Sequence, residues 1–160
     1  MPESSFFHFF EWLTLSDFAL YLRKSPYLIG LLSAVHLLGL TLIGGSGIVS
    51  CLRGVGLLLP ERPLAEIMIP AGKGILAGFG FSLGSGLILF TPRAASAVEN
   101  PAFQIKMALV LAAAVFHFTL YHYVARRTDL RPPILSVAAV LALVLWLGVA
   151  CAGFAFAVFN

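Results

Sequence analysis

Charge is absent from four long stretches of this chain, at residues 25–52, 74–92, 107–125 and 132–160. Each holds at least 19 residues, and about 20 apolar residues cross the hydrocarbon core of a bilayer as an α-helix. The pattern predicts four membrane spans, at about 26–52, 72–92, 101–125 and 133–158. Pro26, Pro92, Pro101 and the pair Pro132 and Pro133 mark their ends, as prolines do where helices start or stop. Residues at about 3–22 read differently. There Phe6, Phe7, Phe9, Phe10, Trp12, Phe18 and Tyr21 are interrupted by Glu11, Asp17 and Arg23, a mixture suited to the head-group layer. An amphipathic interfacial helix is expected, with Ser16 capping a short helical stretch through Leu22. Pro60, Pro63 and Pro70 predict a broken first loop whose middle, 64–69, lies in the interface.

Short connections between an even number of spans imply an all-α, up-down-up-down four-helix bundle, one integral membrane domain over residues 1–160. Arg53, Arg62, Lys73, Arg126, Arg127 and Arg131 lie in the first and third loops, against Arg23, Lys24, Arg93 and Lys106 elsewhere. The positive-inside rule then places both termini outside the cytoplasm. Glu3 and Glu11 stand where a cleaved leader would carry positive charge, so the first span is expected to stay as an anchor.

Composition narrows the function classes. With 60% apolar and 11% charged residues, the chain falls outside the soluble globular range and has no room for a separate catalytic module. Its net charge of +3 is spread singly or in pairs at helix ends, which suits lipid head groups rather than nucleic acid. Cys51 and Cys151 are expected near opposite membrane faces, unpaired, as apolar fillers.

Small residues recur at four-residue spacing. Gly74, Gly78, Ser82 and Ser85 share one face of span two, and Ala77, Gly80 and Gly84 share another; Gly39, Gly44, Gly45 and Gly47 lie in span one, and Gly148, Ala152 and Gly153 in span four. Such faces let helix backbones approach. They also offer a flat macrocycle a surface free of side chains, and Gly39 is the candidate contact of that kind in span one.

Few polar groups remain inside. His36 lies 10 residues past Pro26, roughly 15 Å down span one, on the face that carries Ser33, Gly39, Ile43 and Gly47. Facing lipid it would be costly, so it points inward. It serves there as a hydrogen-bonded neutral histidine, as a ligand to haem iron or copper, or as a proton relay. On span three Lys106, Val110, Ala113, His117 and Tyr121 form a stripe at helical spacing; His122 reads as interfacial. His36 and His117 are the candidate metal ligands, with Lys106, Gly39 and Tyr121 as candidate cofactor contacts. Lys106 either snorkels to head groups or holds an acidic group such as a haem propionate. Spans one and three are diagonal in a simple bundle, and counting from Pro26 and Pro101 puts His117 roughly 9 Å deeper than His36. No phosphate-binding glycine loop, CxxC or HExxH occurs, and no carboxylate lies within the four stretches, which disfavours a proton or cation path built on buried acids.

The segments FFEWL, AVHLLGLTLIGG and NPAFQIKMALVL together resemble a bacterial family of uncharacterised four-helix membrane proteins, over nearly the whole chain. In layout that family is distantly similar to copper-resistance D type proteins and to small b-type cytochromes. The resemblance implies a multi-pass protein of the bacterial inner membrane. It matches His36 to the family's first-span histidine, and Asn100, Pro101, Phe103 and Lys106 to its third-span entry. The family often has an acidic residue before the first-loop arginine; this chain has Ser50, Cys51 and Leu52 ahead of Arg53. The leading expectation is an electron-transfer subunit, not a stand-alone enzyme, that binds haem b. The alternatives are a copper-handling or small-solute protein, and an accessory subunit that binds lipid or pigment within a larger complex or homo-oligomer.

Overall fold

The computed structural model describes residues 5–121 and 132–158, without the side chains of Phe6, Leu120, Tyr121 and Pro132. His122 and the third-loop arginines 126, 127 and 131 lie outside that set. Among the described residues all regular structure is helical: α1 Ser5–Thr14, α2 Asp17–Arg23, α3 Pro26–Gly54, α4 Leu64–Phe90, a 3-10 turn Thr91–Arg93, α5 Ala94–Glu99, α6 Pro101–Val115 with a π-helical turn Phe116–Tyr121, and α7 Pro132–Val158. Four of these stretches are long and apolar enough to cross a membrane. The protein is a multi-pass helical membrane protein, with α3, α4, α6 and α7 as its spans.

Local chemistry sets most boundaries. Ser16 accepts a hydrogen bond from the Ala19 amide at 3.3 Å and caps α2 as expected. Asn100 Oδ1 accepts from the amides of Ala102 and Phe103 at 2.8 and 3.4 Å, and Pro101 opens α6, where a missing N–H costs nothing. Two expectations are corrected. The segment before span one is two helices, not one, because the turn at Leu15 and Ser16 separates them. Span two starts at Leu64, so 64–69 is its first turns and Pro70 lies inside the helix. Proline there removes only the bond to the Glu66 carbonyl, near a helix end where Glu66 also pairs with Arg62 at 3.5 Å.

The spans bury small residues and expose large ones. Gly39, Gly47, Gly54, Gly78, Ser82, Ser85, Ala113, Ala139 and Ala142 are interior, while Leu31, Leu111 and Val137 are 62, 67 and 67% exposed. Lipid tails are as apolar as leucine, so close backbone packing rather than hydrophobic burial joins such helices. A Cβ on Gly39 would lie 2.7 Å from the Gly78 carbonyl oxygen, and one on Gly78 would lie 2.6 Å from that of Gly39. At this seam α3 and α4 touch backbone to backbone.

Glycine contacts also give the register. Gly39 meets Ser82 and Gly74 meets Ser46; Gly47 meets Leu143 and Gly54 meets Ala139; Gly148 meets Leu109 and Gly153 meets Lys106. In each pair one number rises as the other falls, so α3/α4, α3/α7 and α6/α7 are antiparallel. The spans form a ring in the order α4, α3, α7, α6, and the ring is slack where α4 and α6 would close it.

One end of the bundle is capped. Arg23 donates from Nε (3.1 Å) and Nη2 to the Pro92 carbonyl, and the Ala95 amide donates to Thr14 Oγ1 at 3.0 Å. Ala19 and Leu22 are almost fully buried, so α2 is held by apolar contacts as well as by its arginine.

Candidate functional site

The slack side of the ring encloses space. Two phenylalanine pairs bridge α4 and α6: Phe90 stacks on Phe103 toward the capped end, with centroids 5.3 Å apart, and Phe79 meets Phe118 edge-on at 5.6 Å further down. Between them lies a cavity of about 260 Å³, lined by His36, Phe79, Gly86, Lys106 and Trp146 among others and roofed by Phe10 of α1. It adjoins a second void of about 580 Å³ that reaches the seam between α3 and α7 at Ser33, Leu37, Ala150 and Phe154. Both share His36, Leu40, Gly86, Phe90, Phe103, Lys106 and Val149. The space is therefore a slot between the α3/α4 pair and the α6/α7 pair, of a size that takes small molecules.

His36 is the most organised polar group in it. Ser85 Oγ lies 3.2 Å from His36 Nδ1, and the same hydroxyl donates its single hydrogen to the Phe81 carbonyl. Ser85 therefore accepts from Nδ1–H, which leaves the lone pair on Nε2. No described residue offers Nε2 a hydrogen-bond partner. Ser82 Oγ donates to the His36 carbonyl at 3.2 Å, which ties the backbone to α4 as well. Gly86 makes room for the ring: a Cβ there would stand 3.0 Å from Cε1 and 3.3 Å from Nδ1. A fixed tautomer with a bare second nitrogen is the arrangement metal-binding histidines use.

Lys106 lines the same slot from α6, its Nζ beside Gly153 of α7. The register brings it level with about residue 39 of α3, close to the level of His36. No described residue forms an ion pair with it.

His117 is elsewhere. It is 4% exposed and packs edge-on against Phe118 and Trp146, with centroids 5.3 and 6.3 Å away, and it lines neither void. Following the register through α7 brings it level with about Ser50, roughly 20 Å from His36 along the bundle at 1.5 Å per residue. The expected offset was smaller because it assumed that the two spans start together. Pro101 is level with about residue 34 of α3, since the turn and α5 between α4 and α6 carry the chain back down before span three begins. Gly39 is taken up by the α3/α4 seam and does not reach the slot. Tyr121 ends the π-helical turn, and its side chain is outside the described set.

Several participants escape a reading of the sequence, among them Gly86, Trp146, Phe10, Phe79 and Phe90. Gly86 continues the four-residue spacing of Gly74, Gly78 and Ser82, and that step was the signal for it. Trp146 carries no comparable mark, since it lies in a run of apolar residues, and Phe10 is one of several aromatics in its segment with nothing to single it out.

Fold and slot together define a polytopic α-helical membrane protein with a ligand-sized internal cavity and one preorganised histidine. The chain belongs to a family of unknown function (DUF6644), whose profile matches residues 9–158. Comparison with curated proteins and with solved structures gave no match.

Proposed function

We propose that this protein is a membrane electron-transfer subunit that holds a b-type haem in the slot, with His36 as an axial ligand. The observation that carries the reading is the bare Nε2 of His36 at a slot, with Nδ1–H committed to Ser85. Glycine at position 86 keeps the space beside the ring free of a Cβ. Phe79, Phe90, Phe103 and Trp146 supply apolar and aromatic walls, as suits a flat apolar macrocycle. The bound iron would supply one-electron chemistry, while the protein supplies ligation, orientation and a low-dielectric surround. His117 has no part in this site.

Copper has less support, because no three His, Cys, Asp or Glu side chains converge among the described residues. Charge bias in the loops favours an inner-membrane protein with its capped end on the periplasmic face.

The test is an optical spectrum of the full chain purified after expression with abundant haem, taken oxidised and then reduced, with metal analysis alongside. A Soret band that shifts on reduction and is lost in His36→Ala is expected. Wild-type protein without a Soret band, or with copper in equal amount to protein, overturns the reading.

A further inference from the structure

Among the described residues that line the slot, two carry a positive side chain and none a negative one. Lys106 lines both voids, and Arg93 lines the larger void near the capped end. No aspartate or glutamate is among the residues that line either void. Neither cation forms an ion pair with any described residue. Arg93 lies just past the end of α4, where its position is set by the 3-10 turn and by the clasp of Arg23 on the neighbouring Pro92 carbonyl. A lysine between membrane helices is costly unless an opposite charge or strong acceptors meet it. The described residues supply none, and the walls around it include phenylalanine, leucine and valine.

We infer that Arg93 and Lys106 form an acid-binding pole, so that the natural ligand is an amphiphile: an apolar body in the slot and a carboxylate or phosphate between the pole's two cations. This deepens the haem reading by fixing which end of the ligand faces the cap. The chemistry is shared by porphyrin propionates and by the head group of an anionic lipid entering through the α3/α7 seam.

Two matched ligand pairs test it on the full chain in detergent. One pair is ferric protoporphyrin IX and its dimethyl ester, followed by the Soret band. The other is phosphatidylglycerol and phosphatidylcholine, followed by native mass spectrometry. Wild-type protein is expected to prefer the charged member of at least one pair by about tenfold, the scale of a charge-assisted hydrogen bond. Arg93→Gln with Lys106→Met is expected to remove that preference while still binding the uncharged member. The inference is overturned if wild-type protein treats both pairs alike, or if the double variant discriminates as wild-type protein does. The two proposals separate cleanly. Selective phosphatidylglycerol binding with no Soret band for either porphyrin defeats haem and keeps the acid pole. Equal binding of the porphyrin and its ester, with no lipid preference, defeats the pole and keeps haem.

Discussion

His36 and His117 sit on diagonal spans, and their surroundings are opposite in kind. His36 has one nitrogen pinned by Ser85, whose own hydrogen is already spent on the Phe81 carbonyl, and the other without a hydrogen-bond partner among the described residues, on a ring that lines the slot. His117 is closed in by Phe118 and Trp146 on a π-helical turn. Both avoid lipid, as an imidazole must. Only one of them is left with a nitrogen that a ligand can reach. Burial inside a membrane bundle thus says little about function until the second nitrogen is accounted for.

Replacement of His36 should break this contrast most severely. His36→Ala is expected to abolish the Soret band while the protein keeps its helical circular dichroism and gel-filtration volume; a retained band would move the ligand elsewhere. Ser85→Ala removes the acceptor that fixes the tautomer, and support of this kind is worth about 10–100-fold in metal affinity. A haem titration should therefore show weaker binding in that range, and unchanged affinity would mean the serine does not orient the ring. Gly86→Ala crowds the imidazole by a few tenths of an ångström. The expected loss is about threefold, comparable with a side chain held slightly off its rotamer, and an increase in affinity would contradict the proposed crowding. The smallest effect on ligand binding belongs to His117→Phe, which should leave the haem spectrum and affinity unchanged. It should cost about 1 kcal/mol of stability in a thermal melt, the scale of a lost buried polar contact. A loss of haem in that variant would return His117 to the site.

Much of the architecture is legible in the sequence because hydrocarbon imposes it. The four spans, the cap at Ser16, and the face of Gly74, Gly78 and Ser82 follow from length, capping chemistry and four-residue spacing. What fails is depth. Hydropathy reports that a segment can cross a bilayer, not the level at which it starts relative to its neighbours. That level is set by the Thr91–Glu99 turn and helix and by their contacts with Thr14 and Arg23. Those contacts join residues 69 and 81 apart in the chain, and no local pattern encodes them. The site follows the same division. His36 and Lys106 stand out as polar groups in apolar helices, whereas Gly39 and Gly86 look alike in sequence and differ only in what each faces.

The arginine clasp bears on how the molecule is made. Arg23 leaves the ribosome long before its acceptor, the Pro92 carbonyl, has been synthesised. That clasp therefore cannot form until the second span has been made, and the roof over the slot closes late in assembly. A guest of the kind proposed would have its widest entrance during biogenesis, before Phe10 settles against Phe90.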